Sequence, residues 1–193
     1  VLKKVRELTY QNEKVLIWTS FTKNIDLLKN ELVDLNPVHI DGRVNLGDDE
    51  SKEIGTRRGN IDKFKNDPNC MVFIANPAAA SEGISLHVDD KGKKVCSKAI
   101  YLDRNFNCSQ FLQSIDRIHR IGSKETPEIF LYKTLNSVDV KVQSRLDEKV
   151  SAMMELLNDK SLKPYISNES FFPNDFIDIE SDEETSFYLD CLK

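Results

Sequence analysis

The 193-residue sequence has no long hydrophobic run and no paired-cysteine motif. None of its apolar stretches approaches the ~18 residues of a membrane-spanning helix, and its first residues do not resemble a signal peptide. The four cysteines form no C-x-x-C pair and have no histidine at metal-ligand spacing. We therefore expect free thiols in a reducing compartment, no metal site and no membrane partner.

The sequence also lacks two segments that enzymes use to bind ATP. It contains no G-x-x-x-x-G-K-[ST], and no D-E-x-H follows a predicted strand. Without a phosphate-cradling loop and an acid to hold Mg²⁺, the chain has no evident means of binding and hydrolysing ATP alone. No glycine fingerprint follows the first predicted strand, which weighs against a free-standing nucleotide- or cofactor-binding protein.

The net charge of −5 is concentrated near the C-terminus. Residues 175–193 contain seven acidic residues against one lysine, which leaves residues 1–174 with a net charge of +1. A near-neutral body neither supports nor excludes DNA contact, because a few placed cations can hold phosphates. Residues 164–193 interleave aromatic and acidic side chains without clear periodicity, a pattern typical of partial disorder or of docking on a partner or on the same domain.

Short apolar runs alternate with amphipathic stretches through the body of the chain. Strands separated by helices imply parallel pairing through crossover connections. We predict an α/β fold, a three-layer domain with a mostly parallel central sheet over residues 1–160, followed by an irregular acidic extension over 161–193. The predicted strands are 14–19, 38–40, 71–75, 99–102 and 128–133, the last nearer an edge, and the predicted helices are 23–34, 51–65, 109–121 and 138–157.

The predicted helix 109–121 carries a glutamine and two arginines on one face. At 100° per residue, Gln113, Arg117 and Arg120 project together. Planar, permanently charged guanidinium groups match phosphate oxygens and stabilise the charge that develops in phosphoryl transfer. An isolated pair of arginines on a helix is more often solvated. The apolar face, which should pack on the sheet, consists of Phe111, Leu112, Ile115 and Ile118.

The arginine pair is not isolated, because residues 113–122 read QSIDRIHRIG. This segment resembles motif VI of the Swi/Snf family of helicase-like ATPases, Q-x-x-D-R-x-H-R-I-G. The resemblance covers about residues 10–150 and extends to further segments in the family's order. These are 14–22 (motif IV), 39–42 (a strand ending in Asp-Gly), 57–64 (R-x-x-x-I-x-x-F), 74–86 (motif V) and 101–107 (strand-D-x-x-W-N).

The resemblance implies a RecA-like fold and the second, C-terminal lobe of a DNA-dependent ATPase. Its implied partners are duplex DNA and an N-terminal lobe of the same polypeptide, which would bind most of the ATP and Mg²⁺. Arg117 and Arg120 are the implied catalytic residues, with Arg120 the arginine finger, and Gln113 and Gly83 are implied to lie near the nucleotide. The implied DNA contacts are Ser20, Gly42, Arg43, Asn76 and Ser81.

The sequence departs from the family pattern at a few positions. Ala80 and Ser81 stand where the family commonly has two glycines, and Glu82 adds a negative charge. Cys108 replaces a common proline, and Ser123 replaces the glutamine after Ile-Gly. These changes bear on the DNA contacts more than on the arginine pair. For the lysine loop at 91–94 a DNA contact stays open, although solvated cations are the commoner case in such loops.

Two alternatives to a motor lobe stay open. The first is a degenerate lobe that acts as a DNA- or protein-binding regulatory module, with a protein partner for its acidic extension. The second is a free-standing nucleotide- or cofactor-binding protein. Because the chain begins at Val1 rather than methionine, we expect it to be part of a longer polypeptide. The abundance of Lys, Asn and Ile favours a bacterial source and a cytoplasmic, nucleoid-associated location; a eukaryotic source would imply the nucleus.

Overall fold

A parallel five-stranded sheet forms the centre of the computed structural model, which describes residues 1–45, 55–80, 84–118 and 127–157. The strands follow the order β2-β3-β1-β4-β5, and all four pairings are parallel. The helices are α1 (Leu2–Tyr10), α2 (Thr22–Glu31), α3 (Arg57–Asn66), α4 (Cys108–Ile115) and α5 (Val138–Leu157), and the strands are β1 (Lys14–Trp18), β2 (Val38–Ile40), β3 (Val72–Ala75), β4 (Cys96–Tyr101) and β5 (Glu128–Leu131).

The inner strands are covered on both faces, which explains their unbroken apolar sequences. In β1 and β3 every residue after Lys14 is buried, as parallel strands between two helix layers require. One face of the sheet packs against α1 and α2 through Val5, Leu8, Ile25 and Leu28. The other packs against α3, α4 and α5 through Phe64, Phe111, Ile115, Val142, Leu146 and Val150. The predicted three-layer α/β fold is confirmed.

Most predicted elements are present, with shifted ends. The strand predicted at 128–133 is β5, and it lies at an edge of the sheet as expected. The helix predicted at 138–157 has these bounds, whereas α1 was not predicted at all. The expectation of free thiols is confirmed for Cys70, Cys96 and Cys108, which are buried. The acidic extension, with Cys191, lies outside the described residues.

The helix predicted over 109–121 is wrong at residues 116–118, and residues 119–121 lie outside the described residues. The helix α4 stops at Ile115, and residues 116–118 form a tighter turn in which the Ile118 N–H donates to the Ile115 carbonyl at 3.1 Å. The carbonyl of Arg117 accepts a hydrogen bond from the Leu86 N–H at 3.0 Å, so it is paired with another segment of the chain. This tertiary hydrogen bond replaces the helical pattern that periodicity alone predicts.

No helix among the described residues is long and apolar enough to cross a membrane.

The side chain of Lys14 closes the C-terminal end of α3. Its Nζ donates to the carbonyl oxygen of Phe64 and, at 2.8 Å, to that of Asp67. The same Nζ lies 5.1 Å from the centroid of the Phe64 ring. The last carbonyls of a helix have no partner within it and carry partial negative charge, so an ammonium group is a suitable cap. Burial lowers the pKa of Lys14.

A three-residue ion cluster joins the end of β2 to α2. The guanidinium of Arg43 contacts Asp26 at 2.8 Å and Asp41 at 2.6 Å. The side chain of Asp41 is fully buried, whereas half of the Asp26 side chain is exposed. Burial by itself would raise the pKa of Asp41, but hydrogen bonds from the Arg43 side chain and backbone lower it below the ordinary value.

Replacing Lys14 with methionine tests the helix cap. The apolar stem would stay, but the Phe64 carbonyl would lose the Lys14 donor and the Asp67 carbonyl would keep only the Cys70 N–H. We therefore expect the free energy of unfolding to fall by about 1–2 kcal/mol. Urea unfolding of the 193-residue chain measures this. Lys98→Met is the matched control, because Lys98 pairs with the exposed Glu128 and its loss should cost less than about 1 kcal/mol. Equal losses in the two variants would contradict the capping role.

Arg43→Ala tests the ion cluster through its pH dependence. In the wild-type chain the lowered pKa of Asp41 contributes stability above its unfolded pKa, and this contribution is lost as the pH falls through the folded pKa. Without the guanidinium, burial of Asp41 is no longer opposed to the same extent, so its pKa should rise and the variant should melt below wild type at neutral pH.

The difference in melting temperature between wild type and Arg43→Ala should become smaller as the pH falls below about 4, where Asp41 is protonated in the unfolded chain as well. Thermal melts between neutral and acidic pH measure it. Arg6→Ala is the control, because its partner Asp34 is 54% exposed and stays solvated. A difference between Arg43→Ala and wild type that is independent of pH would show that Asp41 is not the group that Arg43 stabilises.

Candidate functional site

The carboxyl ends of the strands bring four chain segments to one edge of the sheet. Because all the pairings are parallel, the turns after β1, β2, β3 and β4 lie at this edge. The chain passes from β3 to β4 across β1, so the strand order reverses there, and such a reversal is where open α/β sheets bind ligands. The predicted DNA contacts Ser20, Gly42, Arg43 and Asn76 all belong to this edge.

The turn after β1 is held by a carboxylate from the segment after β4. Asp103 accepts hydrogen bonds from the Thr19 hydroxyl, from the Ser20 N–H at 2.7 Å and from the Asn24 amide at 3.3 Å. Thr19 is fully buried, and its hydroxyl also accepts from the Phe21 N–H at 3.3 Å. The turn around Ser20 is therefore held in place by hydrogen bonds from its backbone N–H and from the side chains of Thr19 and Asn24.

Asn76 holds the same turn from the other side. Its amide Nδ2 donates to the Ser20 carbonyl oxygen at 2.9 Å, while its Oδ1 accepts from the Ala78 N–H at 2.9 Å. The backbone N–H of Asn76 continues the sheet by donating to Ile40. One side chain thus ties the turn after β1 to the turn after β3, and two of the predicted DNA contacts are in direct contact with each other.

The N-terminus of α2 opens at this edge directly after Ser20. The helix starts at Thr22 behind Phe21, and no side chain caps it in the described part of the chain. Phe21, Thr22 and Lys23 are exposed. The first N–H groups of a helix carry partial positive charge, and here a lysine stands beside them. This end of α2 has the electrostatic character of an anion-binding surface.

The turn after β2 is shaped differently. No atom of the described residues lies within 4 Å of a Cβ added at Gly42. The neighbouring Arg43 is engaged by Asp26 and Asp41, so its positive charge is matched by two carboxylates. Its side chain holds the turn against α2, and a phosphate would have to compete with both carboxylates for it.

Gln113 and Arg117, predicted to lie on one helix and to face the nucleotide, lie in different local structures. Gln113 is exposed on α4, and its amide lies 3.4 Å from the Ser109 hydroxyl. Arg117 lies beyond the helix in the turn 116–118, half-buried, where its Nη1 donates to the Ile84 carbonyl at 3.3 Å. With the bond from Leu86 to the Arg117 carbonyl, side chain and backbone both join motif VI to the end of motif V.

Three of the predicted site residues lie outside the described residues. They are Ser81, Gly83 and Arg120. Ser81 and Gly83 directly adjoin the described residues Ala80 and Ile84, and Arg120 comes two residues after Ile118.

The lysine loop at 91–94 lies at the opposite, amino edge of the sheet. Lys94 pairs with Glu13, the residue before β1, at 3.1 Å. Lys65, near the C-terminal end of α3, lies 3.9 Å from Asp90. The loop leads into the start of β4, so a whole strand length separates it from Ser20 and Asn76.

The sequence analysis missed Thr19, Asn24 and Asp103. Each follows a predicted strand or begins the next helix, so the rule that parallel strands end at one edge was enough to place them together. Their mutual hydrogen bonds depend on the final side-chain geometry. Among the residues that the structure describes, no group of three or more His, Cys, Asp or Glu side chains is arranged to hold a metal ion.

Comparison with known proteins identifies the family. The model of the family described as "Helicase conserved C-terminal domain" matches residues 1–122 of this chain. A solved structure, the C-terminal part of the Fun30 ATPase domain, superposes with a TM-score of 0.60 at 28% identity, and covers 75% of this chain and 43% of that one. This match and the parallel sheet confirm the RecA-like fold.

Curated relatives match at similar identity. The ATP-dependent helicase FUN30 of Saccharomyces cerevisiae is 29% identical over 162 residues, which are 82% of this chain and 13% of that protein. The human lymphoid-specific helicase is 28% identical over 145 residues, 74% of this chain and 16% of that protein. The human chromatin-remodeling ATPase INO80 is 25% identical over 179 residues, 92% of this chain and 10% of that protein.

The chain thus spans between 10% and 16% of the length of these three relatives. The matched region covers β1 to β4 and the turns at the carboxyl edge, including the segments named motifs IV, V and VI. The chain belongs to the helicase conserved C-terminal domain family, as the second RecA-like lobe of a Swi/Snf-type helicase-like ATPase.

Proposed function

We propose that this chain is the second motor lobe of an ATP-dependent double-stranded DNA translocase or remodelling helicase. The observation that carries the proposal is the joining of motifs IV, V and VI at one edge of the sheet. Asn76 and Asp103 fasten the turn that contains Ser20, and Arg117 is bonded to the end of motif V. The surface proposed to grip DNA and the segment proposed to reach ATP would thereby move together.

On the nucleotide side, ATP with Mg²⁺ would be held mainly by the N-terminal lobe of the same polypeptide. Arg117 and Arg120 would approach the triphosphate across the cleft when the lobes close, with Arg120 as the finger. Guanidinium groups at this position stabilise the charge that develops during phosphoryl transfer. Gln113 and Gly83 complete the nucleotide-facing set. The exposure of Gln113 on α4 supports this assignment.

On the DNA side, the turn 19–21 and the start of α2 would hold phosphates of one strand. The exposed Thr22 and Lys23 beside an uncapped helix N-terminus supply donors and positive charge. Asn76, Ser81 and the turn at Gly42 extend this surface along the carboxyl edge. For Arg43 we propose a shaping role in addition to any phosphate contact, because two carboxylates already engage it.

Closing of the lobes on ATP and opening after hydrolysis would move this grip along the DNA. The lobe would act as one body, since its DNA-facing and nucleotide-facing turns are hydrogen-bonded to the same sheet. We also propose a nuclear location, because the relatives named above are from human and yeast; none of them supports the bacterial alternative. A protein partner for residues 161–193 stays a proposal from composition.

In the full-length polypeptide, Arg117→Ala should lower the DNA-stimulated ATPase rate by at least about tenfold, and Arg120→Ala by about 10³-fold or more, because fingers of this kind contribute 10³–10⁵ in rate. DNA binding should change little, since the proposal assigns these two arginines to the nucleotide side. Coupled ATPase assays and fluorescence anisotropy with labelled duplex measure the two effects.

Arg145→Ala is the matched control for the arginine variants. Arg145 is exposed on α5 and, among the residues that the structure describes, pairs with Glu148 three residues later. Its removal should leave both the ATPase rate and DNA binding unchanged. Normal turnover in Arg120→Ala would overturn the finger assignment. ATP hydrolysis that ignores both DNA and the arginines would favour the regulatory-module alternative.

The isolated 193-residue chain should not hydrolyse ATP, with or without duplex DNA. It lacks the phosphate-cradling loop and the Mg²⁺-binding acid that the reaction requires. A sensitive phosphate-release assay compares it with the full-length protein at equal concentration. Turnover by the isolated chain that survives the Arg117→Ala change would place the catalytic centre elsewhere.

A further inference from the structure

The carboxylate of Asp103 accepts three hydrogen bonds at the carboxyl edge of the sheet. Asp103 Oδ1 accepts from the Ser20 N–H, and Oδ2 accepts from Thr19 and Asn24. All three donors belong to the turn after β1 and the first turn of α2. No cation pairs with Asp103 in the part of the chain that the structure describes, so neutral donors from this one turn hold the carboxylate.

Hydrogen bonds to an ionised group are stronger than those between neutral groups, and each lost partner costs more. The three donors are also mutually arranged, because the Asn24 amide lies 3.2 Å from the Thr19 hydroxyl as well. The Thr19 hydroxyl, the Ser20 N–H and the Asn24 amide are therefore all engaged by this one carboxylate.

The segment that carries Asp103 is itself fixed at several points. The guanidinium of Arg104 donates to the Tyr132 carbonyl at 3.1 Å, and Lys149 donates to the Phe106 carbonyl at 2.6 Å. The side chain of Asn107 caps α4 by accepting from the Gln110 N–H at 3.1 Å. Asp103 thus extends from a braced segment that leads directly into the helix before Arg117.

The turn that Asp103 holds leads directly into a stretch of exposed side chains at the start of α2. Phe21, Thr22 and Lys23 face solvent, while Thr19 beneath them is fully buried. The Asn76 amide holds only the carbonyl side of Ser20, so the N–H side depends on Asp103. A turn that is ordered before it meets its ligand does not have to be ordered at the moment of binding.

We infer that Asp103 is a positioning residue that presets the turn 19–23 for binding a DNA strand. The inference rests on the proposed function, because it assigns to that turn a phosphate backbone as its ligand. Asp103 itself touches no DNA. Its loss should therefore weaken DNA binding through the turn, and saturating DNA should restore most of the ATPase rate.

The test uses the full-length polypeptide and four variants. Asp103→Asn keeps the size of the side chain but replaces one acceptor with a donor. Thr19→Val removes the buried hydroxyl, and Thr19→Ser keeps it as the conservative counterpart. Asp34→Asn is the control, since Asp34 is an exposed aspartate paired with Arg6 on the surface.

ATPase rates are measured against duplex concentration for each protein. For Asp103→Asn and Thr19→Val, the concentration giving half-maximal stimulation should rise by about tenfold or more. The rate at saturating duplex should fall by less than about threefold, in contrast to the arginine variants, whose saturated rate falls. Thr19→Ser and Asp34→Asn should behave as wild type.

A positioning role and a purely structural role give different results. Thermal melts of each variant separate them: a general loss of fold would lower the saturated rate and the duplex affinity together, and that result would overturn the inference. If Asp103→Asn does not fold, the Thr19→Val and Thr19→Ser pair decides, because valine and threonine are nearly isosteric.

The inference and the proposed function also fail in different ways. Unchanged half-maximal concentrations in both Asp103→Asn and Thr19→Val, with normal stimulation of the wild type, would overturn the role of Asp103 alone. A wild-type protein whose ATPase ignores duplex DNA would overturn the proposed function and, with it, the ligand assigned to the turn.

Discussion

The parallel pairing of every strand is the constraint on which the rest of the structure depends. It requires each connection to cross back over the sheet, which places helices on both faces and makes the inner strands apolar throughout. It also collects the turns after β1 to β4 at one edge. Ser20 and Asn76, 56 residues apart in sequence, are hydrogen-bonded there. An antiparallel strand at this point would have sent one of these turns to the other edge.

The sequence was sufficient to predict the fold because burial on both faces leaves a local signature. The runs that became β1 and β3 are short, apolar and bounded by turn residues, so their type was predictable, whereas their order in the sheet was not predicted. The position of β5 at an edge was predictable because its pattern alternates. The helix α1 was missed: only Val5 and Leu8 are buried in it, so its apolar stripe is narrow.

The candidate site was predictable only in part, because long-range hydrogen bonds decide its details. Helical periodicity extended α4 through Arg117, but the Arg117 carbonyl is paired with Leu86, a bond that no local pattern records. Arg43 has the charge of a phosphate ligand, yet two carboxylates engage it, one of them 17 residues earlier. Asp103 and Thr19 are 84 residues apart, and each by itself is an ordinary residue at a strand end.

The lysine loop at 91–94 is the tip of a hairpin over residues 88–94, and its position decides what a change of loop length would affect. The hairpin is closed by a bridge between Val88 and Lys94, turns at Gly92 with a positive φ of 75°, and lies at the amino edge, away from the turns that carry the candidate site. The entropic cost of a longer loop grows only slowly with its length. A longer loop at this hairpin should therefore cost little stability and leave the turns at the opposite edge unchanged.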